Sequence, residues 1–187
     1  MPVGTDVPDG DYVKCEPQPK SGDAGMGIEQ TSRVTVTALT AHRFLHGLPC
    51  DQLAKLVPAA CLIGLPPGRR IFEDGGSAAN FWLIRSGSVA LDLHIPHAGM
   101  VVVETLGMGD ALGWSWLLPP YVWTLGATTV QPTEVFQFDG RAVRALCDAD
   151  PELGFQLTRR FLSVAADRLL ATRGRLLDHY VPPRPWP

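Results

Sequence analysis

The sequence predicts a mainly β protein with flanking α: an antiparallel β-roll of the jelly-roll type, short helices before it and a long helix after it. Three observations predict this. Apolar residues between Leu39 and Ala60 recur at three- and four-residue steps. From Cys61 to about residue 138 the period drops to two, in short runs punctuated by Gly and Pro with no helical pattern between them. From Asp139 onward the helical period returns and persists to Tyr180. Short strands at this density, uninterrupted by helices, form an antiparallel barrel or roll, not an alternating α/β fold.

Taken in order, residues 1–36 are rich in Gly, Pro, Asp and Ser and read as a disordered or loosely attached arm. The folded domain is expected over 37–181, with a tail at 182–187. Within it, Phe44, Leu45, Leu53, Leu56 and Val57 are interrupted at Gly47–Pro49, which predicts two short helices within 37–60. The β section, 61–138, contains "CLIGLPPGRRIF", "FWLIRSGSVALDLHI", "MVVVETL", "WTLGATTV" and "TEVFQF". In "VALDLHI", Val89, Leu91, Leu93 and Ile95 share one face, and Ala90, Asp92 and His94 the other. The last part, 139–181, holds a short helix and a long one. Asp150 suits an N-cap, Pro151 the first helical position, and Glu152 the positive end of the helix dipole. Leu153, Leu157, Phe161, Val164, Ala165, Leu169 and Leu176 form a stripe on the long helix. Thirty residues span roughly 45 Å. That outruns the roll, so part of the stripe needs another partner, and a homodimer is expected through Leu157, Phe161, Val164, Leu169 and Leu176.

The bulk numbers exclude several classes. The 187 residues suffice for one core plus an appendage. The net charge is −3, with 45% hydrophobic and 19% charged residues, which gives no electrostatic sign of nucleic-acid binding. No apolar run reaches the ~20 residues of a spanning helix, so no membrane insertion is expected. The first residues lack a basic head and an apolar core, so no signal peptide is read there. Cys15, Cys50, Cys61 and Cys147 are scattered without C-x-x-C spacing, which fits a reducing, cytoplasmic setting.

Two words of the β section carry a resemblance. "PPGRRIFEDGGSAANFWLIRSGSVALDL" contains Ile84, Ser86, Gly87 and Val89, matching an I-x-S-G-x-V hairpin, and "ETLGMGDALG" contains Leu106, Gly109, Asp110 and Gly113, matching L-x-x-G-D-x-x-G. In this order, between these helical ends, the chain from about residue 40 to 180 resembles the cyclic nucleotide-binding domain of the catabolite-activator and regulatory-subunit superfamily. The second word then resembles the start of that family's phosphate-binding cassette. The glycines also have a reading of their own. Gly75, Gly76 and Gly87 suit tight hairpin turns, and Gly109 and Gly113 bracket a turn where backbone approaches backbone or ligand.

The resemblance implies a Glu after the cassette glycine, bound to the ribose hydroxyl. It also implies an Arg about ten residues on, paired with the cyclic phosphate. Here Trp114 follows Gly113 and Trp123 stands ten residues on, before Thr124. No Arg or Lys lies between Val101 and Gly140. A buried anionic phosphate needs charge-assisted donors, and losing one costs about 1.5–3 kcal/mol. Backbone N–H groups, with the Ser115 and Thr124 hydroxyls, offset part of this but do not replace a guanidinium. The candidate site is therefore Gly109, Asp110, Gly113, Trp114, Ser115, Trp116, Tyr121, Trp123 and Thr124. It either lines an aromatic pocket for a less anionic ligand or is filled by its own rings.

The remaining constellations are weaker. His94, His97 and Glu104 suggest a cupin-like metal set, but a three-residue step on one strand points the two histidines to opposite faces, so no metal site is expected. Arg69–Arg70 and Arg159–Arg160 read as solvated faces or ion pairs, and Asp139 and Asp150 as helix caps. No helix-turn-helix pattern follows Tyr180, so DNA binding by this chain alone is not expected. The expectation is a non-catalytic sensor or regulatory module acting through an unidentified protein effector. It needs no cofactor, although a cyclic nucleotide or another small ligand is conceivable. The alternatives are an orthodox cyclic AMP or cyclic GMP sensor and a cupin-like metalloenzyme.

Overall fold

The computed structural model describes residues 31–180. The proposed tail and most of the proposed arm lie outside the described residues. The described residues form nine strands and four helices, in the order β1 Thr31–Arg33, α1 Val36–Thr40, α2 Cys50–Leu56, β2 Ala60–Leu65, β3 Arg70–Phe72, β4 Asn80–Ser86, β5 Val89–Ile95, β6 Gly99–Leu106, β7 Ala111–Leu112, β8 Gly126–Thr129, β9 Thr133–Asp139, α3 Gly140–Ala149 and α4 Pro151–Tyr180. Short 3-10 turns at Arg43–Leu45 and Val57–Ala59 complete the N-terminal helical section.

The strands form two antiparallel sheets. The first runs β1-β2-β9-β4-β7 and the second β3-β8-β5-β6. Together they make the expected roll, and the helices lie on the outer face of the first sheet, giving three layers. Between helices and sheet, Leu39, Leu45, Leu53, Phe81, Leu83, Phe136, Phe138, Leu153, Leu157 and Phe161 are buried together. Between the sheets, Ile63, Trp82, Ile84, Val89, Leu91, Leu112, Trp123, Ala127 and Val135 form a second apolar layer. The first sheet is thus apolar on both faces. In β4, Phe81 and Leu83 point to the helices while Trp82 and Ile84 point into the roll, the alternation of a strand covered on both sides.

Capping follows the sequence. The Asp139 carboxylate accepts from the Arg141 and Ala142 amides at the start of α3. Asp150 accepts from the Leu153 amide and from Lys55 Nζ at 2.7 Å. Those partners hold the Asp150 carboxyl below its ordinary value, chiefly through the Lys55 hydrogen bond.

Three expectations change. The arm does not run to residue 36. Thr31–Arg33 pair with β2, in register Thr31 with Ile63. Val34 is buried in the helical core layer, and the Thr35 hydroxyl caps α1 by accepting from the Ala38 amide. A three-residue edge strand is too short to show a period. The strand expected to begin at Trp123 begins at Gly126. The long-helix stripe is also divided. Leu157 and Phe161 are buried in the chain's own core and Val164 packs on it, so these three are not an intermolecular seam. Leu169 is exposed, and of Leu176 the side chain lies outside what the structure describes.

A candidate ligand cassette filled by its own tryptophan

The cassette starts at the β6–β7 turn, which is stitched to β4. Gly109, at φ +88°, donates its amide to the Ile84 carbonyl at 2.8 Å, and Ile84 donates back to the Asp110 carbonyl at 2.9 Å. The Asp110 carboxylate accepts from the Gly107 amide at 2.8 Å and pairs with Arg43 at 3.1 Å. His42 adds a third link. Its Nε2 donates to the Ile84 carbonyl at 3.0 Å and its Nδ1 accepts from the Phe44 amide at 3.2 Å, so the ring is held neutral. Burial pushes its pKa below the ordinary histidine value, against the opposing Ile84 carbonyl. Sequence reasoning did not single out His42, because a lone histidine at the end of a short helix has no pattern around it.

The aromatic residues separate into different layers. Trp116 is fully buried on the helical side, stacked on Phe81 at 4.6 Å and edge-on to Phe161 at 5.4 Å. It is a core residue, not a pocket wall. Trp114 is half-buried and packs against the same layer. Ser115 is buried and Thr124 exposed. Tyr121, at φ +57°, faces outward with the Arg144 guanidinium 4.4 Å above its ring, and Arg144 also donates to the Trp116 carbonyl.

Trp123 alone enters the space between the sheets. It is 4% exposed. Its ring stacks on Phe72 at 4.1 Å and 19° and lies 5.8 Å from Trp82, whose Nε1 donates to Gln137 Oε1. The Trp123 amide donates to the Gly76 carbonyl at 2.8 Å and its carbonyl accepts from Gly75 at 2.9 Å. Gly113, at φ +80°, lies under the ring, and a β-carbon there would come 2.7 Å from Trp123 Cη2. The sequence positions that a ribose and a phosphate would require are thus both indoles, one against each sheet face. Phe72 and Trp82, the partners of the stack, were not singled out either. Trp82 lies in the apolar run "FWLI" and Phe72 closes the short run "RIF", and neither pattern marks a pocket.

Cations near the cassette are committed elsewhere. Arg168 of α4 donates to the Ala111 carbonyl and pairs with Glu104 at 3.4 Å, and burial lowers its pKa. Arg160 donates to the Phe44 and His46 carbonyls, and Arg175 to the Val103 carbonyl. A cleft of about 370 Å³ between α4 and the cassette's first turn is lined by Arg43, Glu104, Asp110, Arg160, Asp167 and Arg168. Arg70, on the outer face of the second sheet, pairs with the buried Asp92 and with Glu73 and Thr128. Glu104 is taken by Arg168 and His97 sits in a turn at φ +69°, so the cupin-like set is not assembled. Among the described residues no group of His, Cys, Asp and Glu is placed to hold a metal, and no helix is long and apolar enough to cross a membrane.

This roll, with its glycine-bracketed cassette and terminal helices, defines a class, and the comparisons agree with it. The family profile of the cyclic nucleotide-binding domain matches residues 62–150. Residues 62–150 thus match a domain of the cyclic nucleotide-binding type, and the fold around them is shared by solved structures of such proteins. It is 26% identical over 133 residues to the CRP-like cAMP-activated global transcriptional regulator of Mycobacterium tuberculosis, an alignment covering 71% of this chain and 58% of the relative. The chain thus spans under two thirds of that relative's length. Among solved structures, it is similar to a protein of Geobacter metallireducens described as cyclic nucleotide-binding, with 25% identity and a TM-score of 0.66, over 73% of this chain and 98% of that one. Thermus thermophilus catabolite activator protein shares the fold, at 22% identity and a TM-score of 0.59, over 72% of this chain and 61% of that one.

Proposed function

We propose that this chain is a non-catalytic regulatory module of the cyclic nucleotide-binding type that acts in the cytoplasm through a partner protein, and that its altered cassette does not take a cyclic nucleotide. The observation that carries this reading is Trp123. Where the resemblance requires a phosphate-pairing cation, an indole is buried between Phe72 and Trp82. Stacking holds a base, but a cyclic phosphate left without charge-assisted donors forfeits about 1.5–3 kcal/mol for each one lost. Isothermal calorimetry on the wild-type chain is expected to show no binding of cyclic AMP or cyclic GMP. Micromolar or tighter binding of either would overturn the reading.

The same titration tests a second reading, an orthodox cyclic-nucleotide sensor. It is favoured by the mycobacterial relative, whose name describes it as cAMP-activated. Dimerisation through α4 belongs to the proposal too, by a set that keeps Leu169 of the residues first expected and sets Leu157, Phe161 and Val164 aside. Phe155, Leu162 and Leu169 recur every seven residues and are 60%, 66% and 71% exposed, on the side of α4 away from Leu157, Phe161 and Val164. A heptad-spaced apolar stripe pointing away from its own domain suits a second copy of the helix.

A further inference from the structure

We propose that the cleft between α4 and the cassette's first turn is a second ligand site, separate from the roll, for a small organic carboxylate held by Arg160. The cleft has a volume of about 370 Å³, within the range of small-molecule sites. The observation that carries the proposal is a charge without a counter-ion. Three guanidinium groups line the cleft, and two are neutralised: Arg43 pairs with Asp110 at 3.1 Å and Arg168 with Glu104 at 3.4 Å. Arg160 is half-buried and has only neutral partners, the Phe44 carbonyl at 2.8 Å and the His46 carbonyl at 2.9 Å. Its Nε is buried with no acceptor. Burial lowers its pKa, Arg159 adds to that effect, and no carboxylate opposes it. For Arg168, in contrast, burial is countered by Glu104 and Asp110. Charges withdrawn from water are ordinarily paired. The two carbonyls hold the Arg160 guanidinium in place without neutralising it, and the donors they leave free suit a carboxylate.

The rest of the lining sets the ligand's charge and body. Glu104, Asp110 and Asp167 also line the cleft. Two of these carboxylates are spent on Arg168 and Arg43. Asp167 is exposed, and its position on α4 is about 10 Å of axial rise from Arg160, so it stays in water. One unpaired cation among three carboxylates matches a single negative charge, and a dianion such as phosphate would meet net repulsion. Phe44, Leu106 and Val164 form the apolar part of the wall, which fits a short alkyl body and not a bare ion. Val164 lies on the side of α4 away from Phe155, Leu162 and Leu169, so a second copy docked on that stripe leaves the cleft open. The cleft shares no lining residue with the stack of Phe72, Trp82 and Trp123, so the site does not depend on what the roll holds.

The test is a titration of the full, isotope-labelled chain with isovalerate, a short branched carboxylate, followed by amide chemical shifts. Saturable shifts are expected around Arg43–Phe44, Glu104–Ala111 and Arg160–Arg168. Isoamylamine, the same skeleton with a positive charge, should leave those amides unmoved, and so should inorganic phosphate. Arg160→Gln should weaken isovalerate binding about tenfold or more, the scale of one lost charge-assisted hydrogen bond. Arg160 also ties down the Phe44 and His46 carbonyls, so a second variant leaves it in place. Ser163 is exposed at the cleft wall, and Ser163→Trp should close the cleft and abolish the shifts in a folded chain. The site is overturned if isovalerate produces no saturable shifts, or if they centre on Phe72, Trp82 and Trp123 instead. Undiminished binding by folded Arg160→Gln or Ser163→Trp overturns it as well. Phosphate or isoamylamine binding as strong as isovalerate would overturn the carboxylate assignment. None of these outcomes bears on cyclic nucleotide binding, which the calorimetry decides separately.

Discussion

At the scale of single residues, two positions hold distant pieces together. His42 joins the N-terminal turn to β4 and to the cassette's first turn while neutral, since protonating Nδ1 would remove the acceptor of the Phe44 amide. Its folded pKa is lowered, chiefly by burial, with Arg43 also lowering it and the Ile84 carbonyl and Asp110 raising it. The unfolded chain therefore takes up the proton first as pH falls. Stability from this residue is complete above a pH of about 6.5 and is lost as pH drops from there through the depressed folded value. Melting temperatures between pH 7.5 and 5.5, values chosen to bracket the roughly 6.5 of free histidine, should fall more steeply for the wild type than for His42→Gln. Equal slopes would show that His42 carries no such linkage. Gly126 is the second position. A β-carbon there would meet the Arg70 guanidinium at 1.8 Å and Asp92 Oδ1 at 2.6 Å. Gly126→Ala should displace Arg70 from the buried Asp92 and cost about 3 kcal/mol in chemical denaturation, the scale of breaking a buried ion pair. A loss within error of zero would mean that Arg70 has another place to go.

At the scale of elements, α4 presents two faces with opposite consequences for mutation. Phe161 packs against Phe44, Phe81 and Trp116. Phe161→Ala should therefore lower unfolding free energy by about 3–5 kcal/mol. Leu162, the next residue, is 66% exposed. Leu162→Glu should leave the melting temperature nearly unchanged yet shift sedimentation from dimer to monomer, because it places a charge in the proposed seam. A wild-type chain that sediments as a monomer at tens of micromolar, on the order of a weak interface's dissociation constant, would remove the seam from the proposal. The period-three-and-four pattern located this helix but did not divide its stripe. Leu157 and Leu169 are both leucines on an amphipathic helix, and only the end of the roll determines which of them is covered.

At the scale of the whole molecule, the two sheets close only because β2, β9 and β4 are apolar on both faces, one for the helices and one for the roll. β1 extends that central sheet by one strand, and Val34 fills its corner of the helical layer. Deleting residues 2–34 should therefore lower the melting temperature by several degrees, since even ~1 kcal/mol moves a domain of this size by about 2–4 °C. An unchanged melting temperature would mean that β1 contributes nothing to the fold.

Local chemistry was enough for the sequence to determine the order of elements, the caps at Asp139 and Asp150, the positive-φ turns at Gly75, Gly87, Gly109 and Gly113, and the absence of a cation across the cassette. Each of these follows from one residue and its near neighbours: a period, a side-chain oxygen three residues from an amide, a missing β-carbon. Only the tertiary structure decided which tryptophan became core and which became plug. Trp116 and Trp123 sit seven residues apart in one irregular loop, where no period assigns a face, so their fates depend on which sheet surface each meets. The same holds for β1, Arg70, Arg168 and His42. Their partners lie tens of residues away, at a distance where spacing along the chain carries no information about contact.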